Sequence, residues 1–270
     1  MADVLASRLE SLLPGGKGVW VPMDHSSSAF PERGIVDPDS SVDSVIEGGA
    51  DAIILHKGAV SYHFKRTGWS RFVCHASVST VHGGNRSQDK ILVANATESI
   101  SRGAIGISAQ VNLGDRAEPD MIRRIASITS ESIVAGIPVL GMFYPQGENL
   151  HLGESDITGG VAHAARLAWE MGCNVVKVPW TGSEESFRIV TSSVPIPVLV
   201  SGGARDRNFA DILKIVELSL TAGGAGVCIG RHVFGSEKPA SSIKALRAMV
   251  HDGVTSDEAL KYLGLSLIHI

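Results

Sequence analysis

Cysteine is scarce. Cys74, Cys173 and Cys228 are the only three in 270 residues; they are far apart and form no CxxC pair. That spacing excludes a disulfide framework and a zinc ribbon, and it suits reduced core residues. Charge is sparse too: Asp, Glu, Lys and Arg make up 19% of the chain, the formal net charge is -4, and no run of one sign builds up. A basic nucleic-acid surface or a charged tail is therefore not expected. No stretch reaches the roughly 18 apolar residues of a membrane span. Residues 1–18 carry charges where a signal peptide would need an apolar centre, so a soluble, cytoplasmic protein without nucleic-acid or membrane partners is expected. Low complexity is also missing, because 44% apolar residues suffice for a sizeable core.

What the chain has is a repeat. Eight short apolar runs, at 19–23, 52–55, 71–75, 105–111, 138–143, 174–178, 197–200 and 226–229, have the length of buried parallel strands. Segments with helical spacing lie between them, among them 121–135, 161–171, 209–221 and 243–250. Gly49, Gly103, Gly136, Gly172 and Gly223 each precede a run, where a left-handed residue stops a helix. Pro119 suits a first turn, and Thr181 with Glu184 and Thr255 with Glu258 have capping-box spacing.

Repeated strand–helix units imply parallel strands with right-handed crossovers. Eight of them predict an α/β fold, a single-domain (β/α)8 TIM barrel over 19–264. A doubly wound open sheet is the runner-up. It is disfavoured because Asp24-His25-Ser26-Ser27-Ser28, not GxGxxG, follows the first run. Residues 1–18 read as a helical extension, 76–96 as a long loop with part of a helix, and 265–270 (LSLIHI) as an artefactual tail outside the pattern.

In such a barrel the chemistry gathers at the C-terminal strand ends. These carry Asp24-His25, His56-Lys57, His75, Gln110 and Asn112, Tyr144, Lys177, Ser201-Gly202-Gly203, and Gly230-Arg231. Lys177 is the sharpest signal. Alternation sets Val176 and Val178 on one face and Val175 and Lys177 on the other. With the first pair against the helices, the amine points into the barrel mouth. Burial should lower its pKa, and a neutral amine can form a Schiff base with a carbonyl. The competing reading is an interior lysine paired with a carboxylate. Lys57 reads as an anion contact or a solvated charge.

The glycines of Ser201-Gly202-Gly203 and Gly230, with Arg231, suit a phosphate site after strands seven and eight, though two tight turns would look the same. Arg205 and Arg207 read as solvated. Asp24 and Tyr144 could move protons at such an amine; alternatively they are a helix cap and a rim aromatic. His25, His56 and His75 could gather around a metal, but no HExxH or HxH pair exists, and no metal or other cofactor is expected. His82, His151, His163 and His251 read as solvated or capping.

These residues also carry a resemblance. Val21-Pro22-Met23-Asp24-His25, Glu47–Ala52 with Leu55-His56-Lys57-Gly58, Met142–Gly147, Val161–Arg166, Val176-Lys177 with Trp180-Thr181-Gly182, Ser201-Gly202-Gly203 and Gly230-Arg231 together resemble the archaeal-type class I aldolase family. The branch it resembles most joins a ketose phosphate to aspartate semialdehyde; archaeal-type fructose-bisphosphate aldolases are the neighbouring branch.

The resemblance implies a Schiff-base lysine at Lys177, a proton acceptor at Asp24 and a tyrosine proton donor at Tyr144. It also implies substrate contacts at His25, Ser26, Ser27, Ser28, Pro145 and Gln146, phosphate contacts at Gly202, Gly203, Gly230 and Arg231, and a homo-oligomer. Ser26, Phe30, Gln146 and His232 depart from the family pattern, so the walls that select substrate differ while the three catalytic positions do not. The expected activity is a metal-independent class I aldolase. Fructose-bisphosphate cleavage, a metal-dependent barrel lyase and a non-catalytic sugar-phosphate binder are the alternatives.

Overall fold

The closing contact of the fold is made between its first and last strands. In a computed structural model, which describes residues 2–30, 32–150, 157–203 and 207–264, Gly18 pairs with Gly226, Val19 with Val227 and Trp20 with Cys228, in parallel. The eight strands are β1 (Gly18–Pro22), β2 (Ala52–His56), β3 (Phe72–His75), β4 (Ala104–Leu113), β5 (Val139–Pro145), β6 (Val175–Val178), β7 (Val198–Ser201) and β8 (Gly226–Cys228). Each pairs with its neighbours in chain order, so the sheet is a closed parallel barrel. Gly226 allows the closure: its φ is +128°, and a Cβ there would lie 2.1 Å from the Gly18 carbonyl oxygen.

Helices α1 (Ala2–Leu12), α2 (Pro38–Gly48), α3 (Lys57–Thr67), α4 (Ala96–Ser101), α5 (Glu118–Ala135), α6 (Thr158–Glu170), α7 (Glu184–Ser192), α8 (Phe209–Thr221), α9 (Arg231–Phe234), α10 (Pro239–Asp252) and α11 (Ser256–Ala259) accompany the strands. Gly49 and Gly136 end α2 and α5 in the left-handed conformation, and Thr255 with Glu258 forms the expected capping box. At α7 the sequence expectation is corrected. Ser183 with Ser186 makes the box, and the Thr181 hydroxyl hydrogen-bonds to Ser186 instead.

Alternation splits the core in two. Val19, Val21, Ile53, Val176 and Val178 face the helices, while Trp20, Ile54, Val73, Leu140, Val175 and Leu199 fill the barrel. Leu12 and Leu13 join the inner set and plug its lower end, where Trp20 Nε1 donates to the Leu12 carbonyl at 2.7 Å. Asp51, 1% exposed, accepts from the Val19 N–H, Arg247 and His251. His251 thus hydrogen-bonds a buried carboxylate rather than standing solvated.

The segment read as a long loop after β3 holds a small antiparallel ribbon, Ser77–Val78 against Ile91–Leu92. His151, Arg205 and residues 265–270 lie outside the described residues. Among the described residues, no helix is long and apolar enough to cross a membrane.

Candidate active site

Lys177 sits on the third position of β6, two residues after inward-facing Val175, so the strand pleat sends its side chain into the barrel mouth. It is 7% exposed, and Nζ lies 5.9 Å from the centroid of the Tyr144 ring on neighbouring β5. The mouth holds a cavity of about 420 Å³. Lys177, Tyr144, His25, Gln146, Ser201, Gly202, Gly203, Gly230 and Arg231 all line it, so sequence positions from five strand ends converge.

A smaller lobe of about 120 Å³ continues from it. Asp24, Ser28, His56 and His75 line this lobe, with Lys177 and Tyr144 at the boundary. Ser26 and Ser27 instead line a separate, more apolar cavity behind the β1 turn, and Pro145 lines neither lobe. Lys57 is remote from the mouth. It opens α3 and pairs with Glu98 at 3.2 Å.

Asp24 opens the single turn Asp24–Ser27 that follows β1, and its carboxylate caps no helix. Its Oδ1 is buried without a hydrogen-bond partner, as is His25 Nδ1, 3.9 Å away. Burial alone would raise the Asp24 pKa. The positive potential of His75, His25, His56 and Lys177 outweighs it and holds the carboxyl far below the usual carboxylate range. Burial lowers all three histidines, His75 to about 3, so at neutral pH they carry no charge. The cation that faces Asp24 there is Lys177.

For Lys177 the outcome differs from the sequence expectation. Burial, the largest influence, does push the amine down, as expected for a charge removed from water. Cys228, Tyr144 and Asp24 together outweigh it, and the pKa lies above the ordinary lysine value. Burial in turn raises Tyr144 and pushes Cys228 to about 11, so both are protonated at neutral pH, and Asp24 is the one carboxylate among the groups that raise Lys177. The resting site is an ammonium–carboxylate site whose amine must shed its proton before it can attack a carbonyl.

The histidines meet around Asp24, yet the ring nitrogens of His56 and His75 are engaged, while His25 Nδ1 has no hydrogen-bond partner. His56 Nδ1 is 2.9 Å from the His75 carbonyl and Nε2 is 2.6 Å from Ser27 Oγ. His75 uses Ser108 Oγ at 2.8 Å and Ser77 Oγ at 3.4 Å. A metal would have to break these contacts, so the three do not fit a ready ligand set.

The phosphate candidates are shaped by close approach. A Cβ at Gly230 would stand 2.1 Å from the Pro22 carbonyl oxygen, and one at Gly202 2.9 Å from His232 Nδ1. Among the described residues, the N–H groups of Gly202, Gly203 and Gly230 donate to no protein acceptor. Arg231 Nη2 donates to the Gly203 carbonyl at 3.2 Å and ties the two loops together. This end can therefore offer backbone donors and a guanidinium to an anion.

Sequence reasoning missed one lining residue, Lys90, and the contacts that join others it names. Gln110 and Gln146 both donate to Asn112 Oδ1, at 2.7 and 2.8 Å, forming an amide network in the wall. His232 lines the larger lobe, and Lys90 the smaller one. The placement of Gln110 and Asn112 at a strand end was the one available signal; nothing in the local pattern marks Lys90.

Comparisons with known proteins show the family of the chain. The sequence profile of the DeoC/LacD family aldolases matches residues 19–236. The 2-amino-3,7-dideoxy-D-threo-hept-6-ulosonate synthase 1 of Archaeoglobus fulgidus is 34% identical over 263 residues, 95% of each chain. The 2-amino-4,5-dihydroxy-6-oxo-7-(phosphonooxy)heptanoate synthase of Streptomyces griseus is 33% identical over 243 residues, 88% of this chain and 86% of that one. Among solved structures, a Schiff base forming fructose-1,6-bisphosphate aldolase superposes with a TM-score of 0.81 at 23% identity, over 92% of this chain and 100% of that one.

Proposed function

The chain belongs to the DeoC/LacD family of aldolases and is a class I aldolase, and from that premise we propose that it condenses a ketose phosphate with aspartate semialdehyde through a Schiff base on Lys177. The observation that carries this reading is the buried Lys177 amine, which lines both cavity lobes with Tyr144 and shares the smaller one with Asp24. Both relatives are named for products that carry an amino group at carbon 2 of a seven-carbon acid, which is the fragment that aspartate semialdehyde would supply.

The donor phosphate rests on Gly202, Gly203, Gly230 and Arg231, with Ser201 beside them. Lys177 gives up its proton and adds to the donor ketone. The carbinolamine loses its hydroxyl as water, with a proton from Tyr144, and leaves an iminium. Asp24 removes a proton from the adjacent carbon, and the electron pair moves into the enamine. The proton on Asp24 passes back to Tyr144, and the enamine carbon bonds to the aldehyde carbon while Tyr144 protonates the new alkoxide; the proton released when water adds to the iminium then restores Tyr144. Water then adds to the iminium and releases the amine. The iminium is the electron sink that splits one hard step into easier ones, and the held phosphate makes the C–C step effectively intramolecular. His25 and Gln146 support substrate from the walls. No cofactor takes part.

The same reading makes the protein a cytoplasmic homo-oligomer that feeds aromatic amino acid biosynthesis, with support from the family resemblance. Incubation with dihydroxyacetone phosphate or a deoxyketohexose phosphate and aspartate semialdehyde, read by mass spectrometry with and without EDTA, tests it. An EDTA-resistant product whose mass is that of the donor joined to the acceptor, or to the acceptor with loss of a donor fragment, is expected. Cleavage of fructose 1,6-bisphosphate alone would point to the neighbouring activity, loss with EDTA to a metal lyase, and binding without turnover to a sensor.

A further inference from the structure

The two lobes occupy opposite halves of the mouth. The larger is lined mainly from β5 to β8 and ends at Gly203, Gly230 and Arg231. The smaller is lined from the β1 turn and the ends of β2 to β4, and its far wall contains Lys90. Lys177 and Tyr144 stand between them. Across both lobes Asp24 is the one carboxylate among the lining residues, against Lys90, Lys177 and Arg231. Arg231 serves one anion; the charge of Lys90 is left without a substrate partner in the reaction as derived so far.

Asp89, next to Lys90 and 6% exposed, pairs with Arg86 and with Arg124 of α5, and Arg124 also donates to the Lys90 carbonyl at 3.0 Å. The ribbon is thus anchored through Asp89, and the Lys90 amine is free to reach inward. That amine donates to Ser79 Oγ at 2.7 Å. Among the described residues, no carboxylate lies within ion-pairing distance of it. Burial lowers its pKa while Asp24 opposes that shift.

We propose that the smaller lobe is the acceptor site and that Lys90 binds the carboxylate of the incoming aldehyde, so that the enzyme selects small aldehydes bearing an acid group. This rests on the aldolase reading above. Donor and acceptor then enter from opposite sides of Lys177, each held at its far end by a cation, with the reacting carbons brought together at Tyr144. The volumes agree: about 420 Å³ for the sugar phosphate and about 120 Å³ for a short aldehyde.

The alternative role for Lys90 is to keep Asp24 ionised, which would affect every acceptor equally. The test compares aspartate semialdehyde with propionaldehyde, each with the ketose phosphate that the wild-type enzyme turns over, in wild type, Lys90→Gln and Lys90→Arg. Losing a charge-assisted contact should raise KM for aspartate semialdehyde roughly 10- to 100-fold in Lys90→Gln. KM for propionaldehyde should hold, and Lys90→Arg should recover most of the loss. In wild type alone, succinate semialdehyde should be preferred to butanal, which checks the proposal even if a variant does not fold. Equal losses with both aldehydes, or none, or no preference for the acid in wild type, would overturn it. Borohydride trapping of donor on Lys177 should be the same in Lys90→Gln and wild type; its absence from wild type would overturn the aldolase mechanism itself.

Discussion

Nε2 of His75 lies 3.9 Å from Oδ2 of Asp24, inside a wall where the His75 ring is 2% exposed. Burial holds this histidine neutral, with a pKa of about 3 against an ordinary 6.5. The unfolded chain therefore binds a proton that the folded chain refuses between those values. Stability should fall as pH drops from about 6.5 toward 3, by a few kcal/mol. Asp24 acts in the same direction, since its depressed pKa gives stability that is lost in acid. Denaturant titrations across this range should show a slope that is flatter in His75→Gln.

The Asp24 anion also governs the nucleophile. With Cys228 and Tyr144 it raises the Lys177 pKa, so the rate of Schiff-base formation should climb with pH from neutrality into the alkaline range. Asp24→Asn removes that anion and should lower the Lys177 pKa. The climb in the rate of donor trapping should then begin at lower pH, even though turnover falls because proton abstraction is lost. Single-turnover trapping from pH 6 to 10 (on the order of the usual window for a shifted lysine) separates the two effects.

At the other end of the larger lobe, the close approach of Gly230 to Pro22 leaves no room for a side chain. Gly230→Ala must push β1 and β8 apart and displace the open N–H groups. KM for a phosphorylated donor should rise about 10- to 100-fold, the worth of one or two hydrogen bonds to a charged group. Arg231→Gln should raise the same KM, and neither change should alter KM for the aldehyde. Steady-state kinetics with both substrates varied checks this.

Much of this was legible in the chain. All eight runs became strands, displaced by one or two residues, because a barrel strand is buried on both faces and its apolar run is nearly its full length. The helix segment 209–221 is met by α8 at both ends, where Asn208 caps it. The inward direction of Lys177 followed from two flanking valines. What was not legible depends on contacts distant in sequence. The pKa of Lys177 is set by burial against Cys228 on β8, Tyr144 on β5 and Asp24 after β1, which no local pattern reports. Lys90 reaches the mouth only because a two-stranded ribbon folds over, pinned by Arg124. Ser26 and Ser27 look like their neighbour Ser28 in sequence, but the turn points them into another cavity.

The plug at the lower end should matter for stability alone. Leu12 and Leu13 are fully buried in the inner core. Leu12→Ala should cost about 2–5 kcal/mol, the usual penalty for such a cavity, while KM for both substrates stays unchanged. Urea unfolding followed by tryptophan fluorescence, with Trp20 against the plug as a reporter, measures it.

The account stands most directly on which amine bonds to the donor. Two lysines face the mouth, Lys177 and Lys90, and a third, Lys57, opens α3 outside it. Borohydride reduction in the presence of the ketose phosphate, followed by proteolysis and mass spectrometry, should place one stable adduct on the peptide containing Lys177, and Lys177→Met should abolish it. An adduct on Lys90 or Lys57, or an adduct that survives in Lys177→Met, would contradict the account.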